Sequence, residues 1–176
     1  MKSQAEIAGH LSSSSSAHPQ KGTLLRDVEL LLPDETRHLL SAIRGHANLV
    51  MIFAAGRDVH ALLSRLASFR NALKEYSARV LVILLTDDSR AAIPCLDGDL
   101  GLLSLDPTGA AHGALGATDA AGTPVPTIYV TDRFGEVFAV FRAAEPAALP
   151  RPEEIVRWLE FISYQCEECS PPEWPE

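Results

Sequence analysis

The residues best suited to chemistry are the cysteines, of which the 176-residue chain has three: Cys95, Cys166 and Cys169. Cys166-Glu167-Glu168-Cys169 is a CxxC pair. Two thiols at that spacing can close a disulfide or hold one metal ion from two corners. Glu160, Glu167, Glu168, Glu173 and Glu176 surround the pair. Negative neighbours disfavour the thiolate and raise thiol pKa values. The negative end of a preceding helix acts in the same direction. Thiols in that setting are poor attackers, because the thiolate is the reactive form. The pair therefore suits a structural disulfide, a slow dithiol switch or a metal staple. A zinc ion would need two more ligands, from a second copy of the chain or from His10 or His18. Redox pair, metal pair and neither all stay open at this point, and no cofactor is expected otherwise. Cys95, after Pro94, reads as a small, partly buried hydrophobe. A disulfide from Cys95 to the tail is its alternative.

Four other residues carry weaker signals. Asp58 is placed to cap a helix. Arg57 beside it could meet an anion at that helix start. His60 titrates near neutrality when unperturbed and could act as acid or base; a solvated helix-face histidine is the bland reading. Trp174 sits in Pro171-Pro172-Glu173-Trp174-Pro175, an extended segment with no local core. It either folds back on the domain or docks on a partner. Trp158 and Phe161 belong to the core and flank of the last helix.

The elements that must position these residues follow from patterning. Leu24 to Leu32 predicts a strand, closed by the Pro33-Asp34 turn. Arg37 to Ile43 fits a short helix or strand. Asn48 to Ala54 is a continuous apolar run, as in a central strand covered on both faces. Val59, Leu62, Leu63, Leu66, Phe69 and Leu73 predict one amphipathic helix reaching about Tyr76. Arg79 to Thr86 is a second buried strand, so strand, helix and strand form a parallel crossover. Leu102 to Leu105 predicts a short strand, followed by a weak helix through His112 and Leu115. Thr127 to Thr131 and Glu136 to Arg142 flank Asp132-Arg133-Phe134-Gly135 as a hairpin. Pro152 opens a last helix with Glu153 and Glu154 in its first turn, running to about Tyr164.

Composition bounds the rest. With 47% hydrophobic residues the chain can bury one core. The organisation expected is a disordered tail over 1–22, one domain over 23–165, and the CxxC with a proline-rich tail over 166–176. Residues 1–22 are too polar to offset their ordering entropy. The net charge of -8 disfavours nucleic acid and anionic membranes. No apolar run approaches the roughly 20 residues that span a bilayer. No signal-peptide pattern and few cysteines point to a cytoplasmic location.

Val125-Pro126-Thr127-Ile128-Tyr129-Val130, then Asp132-Arg133-Phe134-Gly135-Glu136-Val137, resembles a thioredoxin-superfamily segment. There a cis-proline precedes a strand and a glycine hairpin follows it. Leu103 to Gly109 with Ala114-Leu115-Gly116, Leu32-Pro33-Asp34, and Asn48 to Phe53 resemble the alkyl hydroperoxide reductase and thiol-specific antioxidant family, the peroxiredoxins. The resemblance covers about residues 24 to 162. It implies an α/β thioredoxin-like fold, a central mixed sheet flanked by helices, and a cis bond before Pro126. It also implies a thiol antioxidant oxidoreductase. Two departures matter. The family's threonine and peroxidatic cysteine would fall after the Asn48 to Ala54 strand, where this chain has Ala55-Gly56-Arg57-Asp58-Val59-His60-Ala61. No arginine immediately precedes Thr127. Without a thiolate at that position there is no sulfenic acid step, so the standard peroxidase reaction does not carry over. What remains is a redoxin-like protein using Cys166 and Cys169, or a non-catalytic interaction module. The module reading allows a protein partner or a homodimer.

Overall fold

Along β3 (Asn48–Ala55) every side chain from Leu49 to Ala54 is buried. Alternate residues of a strand point to opposite faces, so such a run needs cover on both. The computed structural model, which describes residues 19–55, 59–88 and 100–165, supplies it. On one face Val50, Ile52 and Ala54 pack with Leu62, Leu63 and Leu66 of α1 (His60–Ala67) and with Ile155, Leu159 and Ile162 of α4 (Pro152–Ser163). On the other, Leu49, Met51 and Phe53 pack with Leu25, Leu30, Leu115 and Tyr129.

The sheet is mixed and has seven strands. Beyond β3 these are β1 (Glu29–Leu31), β2 (Arg37–Leu39), β4 (Ala78–Leu85), β5 (Gly101–Leu105), β6 (Thr127–Thr131) and β7 (Val137–Arg142). Their spatial order is β2-β1-β5-β4-β3-β6-β7. β3 and β4 run parallel, from Asn48 opposite Ala78 to Ala55 opposite Leu85, as the strand–helix–strand pattern requires. β6 lies antiparallel on the other side of β3 and forms the expected hairpin with β7. In the hairpin turn the Asp132 carboxylate accepts from the amides of Phe134 and Glu136 at 2.9 and 2.8 Å.

Two expectations are corrected. The helix predicted from Val59 to Tyr76 is two helices, α1 and α2 (Arg70–Glu75). Ser68 Oγ donates to the Arg65 carbonyl at 2.6 Å, and Phe69 leaves the helical region at φ -98°, ψ 18°. A hydroxyl competing for a helix carbonyl favours such a bend, and Leu73 of α2 still reaches the core. The strand predicted over Leu24 to Leu32 is also divided. Leu24 pairs with Glu136 at the β7 end of the sheet, whereas β1 pairs with β2 and β5 near the opposite end. The chain crosses the sheet between them, burying Leu25 and Val28.

The Arg37 to Ile43 segment divides as β2 and a 3-10 turn over Leu40–Ala42. The weak helix through His112 is α3 (Ala110–Ala114). None of the described helices is long and apolar enough to cross a membrane.

Candidate functional site

The segment joining β3 to α1 is where the resemblance puts a nucleophile. β3 ends at exposed Ala55, and α1 begins at His60 with Val59 buried beneath it. Arg57 and Asp58 lie outside the described residues. His60 is half-buried and is the one titratable side chain described between Ala55 and Ala61.

The loop before β6 comes to the same end of the sheet, because Thr127 pairs with Phe53 of β3. Its backbone is pinned from several sides. Val125 N donates to the Ala117 carbonyl at 2.9 Å, Ala143 N to the Pro126 carbonyl at 3.1 Å, and Thr118 pairs with Pro124. Thr127 Oγ1 donates back to the Val125 carbonyl at 2.8 Å. Arg142 of β7 donates to the carbonyls of Gly116 and Thr118 at 2.8 and 2.6 Å. The expected cis bond before Pro126 is corrected: no described peptide bond is cis. Trans is the ordinary X-Pro preference, and the bonds at Val125 N and the Pro126 carbonyl are all made with it.

Cys95, Cys166 and Cys169 lie outside the described residues, as do His10, His18 and Trp174. The described chain ends at Gln165, just past α4, so the CxxC follows that helix directly. Among the described residues no group of three or more His, Cys, Asp or Glu is placed to hold a metal ion. Trp158 is half-buried and Phe161 is exposed, their rings edge to face at 5.9 Å.

The structure also joins two residues that sequence reasoning did not pair. Asp106, just past β5, and His112, in α3, meet at 2.7 Å through a carboxylate oxygen and Nδ1. The same oxygen accepts the His112 amide at 2.9 Å. Burial raises the Asp106 pKa, but the hydrogen bonds from His112 and the Ala111 amide outweigh it and hold the carboxyl below its ordinary value. The available signal was an aspartate and a histidine flanking a Pro-Thr-Gly turn. Gly109 supplies the left-handed residue there, at φ +73°. His112 is fully buried against Phe53, ring centroids 5.2 Å apart. A ring without solvent access cannot reach a substrate, so this aspartate–histidine pair positions backbone rather than moving protons.

No family model matches the sequence, and no curated protein matches it. Solved structures do match. An AhpC of Mycobacterium tuberculosis is 15% identical with a TM-score of 0.67, over 88% of this chain and 98% of that one. Enterococcus faecalis AhpC is 18% identical with a TM-score of 0.66, over 87% and 99%. Peroxidoxin BcpB of Mycobacterium tuberculosis is 20% identical with a TM-score of 0.64, over 82% and 99%. The chain thus has the α/β thioredoxin-like fold, a central mixed sheet flanked by helices, in the form these peroxiredoxin structures share.

Proposed function

We propose that this chain is a redoxin-like relative of the thiol-dependent antioxidant oxidoreductases that has given up the standard peroxidase step. Its thiol chemistry then runs through Cys166 and Cys169. One observation carries this reading: on a peroxiredoxin-like scaffold, the segment from Ala55 to Ala61 holds no cysteine, and the only paired thiols follow α4. The two thiols pass two electrons and two protons to a disulfide substrate and become a disulfide themselves. The test is turnover of insulin disulfides and of peroxide with a reducing system, in wild type and Cys166→Ser. Slow disulfide reduction that disappears in the variant, without peroxidase-level turnover, supports the reading. No thiol-dependent turnover in wild type overturns it.

A second reading is a non-catalytic thioredoxin-fold interaction module. The same missing cysteine favours it, as do the glutamates around the CxxC, which work against a thiolate. Its partner is a protein or a second copy of the chain. Two CxxC pairs from two copies would give the four thiolates of a structural zinc site. Light scattering and elemental analysis on protein purified without chelator test this: a zinc-free monomer argues against it. A cytoplasmic location fits both readings.

A further inference from the structure

The residues before β1 pair with the start of β7 and the turn before it. Gly22 N donates to the Val137 carbonyl at 2.7 Å, and Val137 N donates to the Thr23 carbonyl at 2.9 Å. Leu25 N donates to the Gly135 carbonyl at 3.0 Å. β7 is the last strand of the sheet. The arm thus occupies backbone groups that an edge strand otherwise offers to another chain.

The turn that starts the arm closes from Thr23 N to the Gln20 carbonyl at 3.0 Å. Gly22 within it sits at φ +83°, a conformation glycine adopts without strain. This turn brings Lys21 to α4. Its ammonium nitrogen is 5.0 Å from the Trp158 ring centroid and 5.8 Å from that of Phe161. Phe138 of β7 backs Phe161 at 6.2 Å. Phe161 remains 45% exposed, so this aromatic corner lies at the surface.

We propose that Lys21 is a charge-dependent latch. Its ammonium, seated on the Trp158 and Phe161 rings, holds the arm on the start of the β7 edge at Val137, and removing that charge opens that end of the edge. The opening is local, because Leu25 is 1% exposed and anchors the far end of the arm in the core. Only the turn and the bonds between residues 22–23 and Val137 are released.

Native-state hydrogen exchange on the full chain tests this with Lys21→Met and Lys21→Arg. Methionine keeps the apolar stem and loses the charge; arginine keeps a cation that stacks on aromatic rings. In Lys21→Met the Gly22 and Val137 amides should exchange roughly two- to fivefold faster, the range expected for a surface cation–π contact. Leu25 and Val50 should be unchanged, and Lys21→Arg should match wild type. Wild-type rates in Lys21→Met, equal acceleration in both variants, or acceleration that includes Val50 would each overturn the latch. Trypsin cleavage after Lys21 gives a second reading. Phe161→Leu removes one ring and should speed that cut; an unchanged rate counts against the proposal.

Discussion

One carboxylate oxygen of Asp106 is bonded twice by the same residue, at 2.9 Å from the His112 amide and 2.7 Å from His112 Nδ1. An ionised carboxylate can only accept, so Nδ1 carries a proton and donates it. Nε2 of the same ring is buried and has no hydrogen-bond partner among the described residues. The pair closes the turn between β5 and α3, and α3 leads directly to the loop that precedes β6.

Asp106→Ala removes both bonds and strands a buried amide and a buried ring nitrogen. The expected loss is roughly 2–4 kcal/mol, the sum of a charge-assisted bond and an unsatisfied polar group. Asp106→Asn keeps one acceptor oxygen and should lose less. Urea unfolding measures both, and a loss below about 1 kcal/mol in the alanine variant would show that the pair is not structural.

The pH dependence of this pair has a definite sign. The Asp106 carboxyl is held below its ordinary value of 3.8. Its contribution is present above that value and is lost as pH falls through the lower folded value. Asp132 has the opposite sign: burial raises its pKa against the turn amides. Its contribution is present below the ordinary value and is lost as pH rises through the folded one. The stability curves of wild type and Asp106→Asn should therefore converge as the pH drops below 3.8. Parallel curves would rule out the ionised Asp106 as the source of the difference.

The strands and faces were legible where one signal dominated. The apolar runs at Asn48 to Ala54 and Arg79 to Thr86 suited buried strands, and Asp132 to Gly135 carried a hairpin-turn signal. Sequence failed where a tertiary contact decided. Leu24 to Leu32 has strand composition throughout, yet its two ends join opposite parts of the sheet. Ser68 breaks a helix whose apolar spacing continues unbroken to Leu73. Asp106 and His112 are six positions apart, and only the α3 turn brings their side chains together. The cis bond expected at Pro126 came from resemblance alone, and the local hydrogen bonds are made without it.

Arg142 holds the loop before β6 through the Gly116 and Thr118 carbonyls. Arg142→Met keeps much of the stem and removes the donors. Bonds from charged donors contribute about 1.5–3 kcal/mol each, so the Val125 amide should exchange at least about tenfold faster. Hydrogen exchange at Val125, with Val50 as reference, checks this. Equal acceleration at both would mean the whole domain had weakened.

The thiols of Cys166 and Cys169 should react slowly at neutral pH. The surrounding glutamates oppose the thiolate, whose unperturbed pKa is about 8.5. Alkylation rates should keep rising above that pH instead of levelling off below it. A plateau near pH 7 would reveal an activated thiolate and would strengthen a catalytic reading of the CxxC.

Tyr129 gives the alkaline counterpart. Its hydroxyl donates to the Leu115 carbonyl at 2.8 Å, and burial pushes its pKa up to about 12. The fold therefore favours the neutral phenol, which is stabilising below the ordinary value of 10.0. That contribution is lost as pH rises toward about 12, because the unfolded chain ionises first. Tyr129→Phe should cost about 1 kcal/mol near neutrality, the net value of one hydrogen bond. It should also flatten the fall in stability above pH 10. Denaturant unfolding at neutral and alkaline pH measures both effects. A variant that loses stability as steeply as wild type would place the alkaline transition elsewhere, with half-buried Tyr76, whose pKa is also raised, as the next residue to substitute.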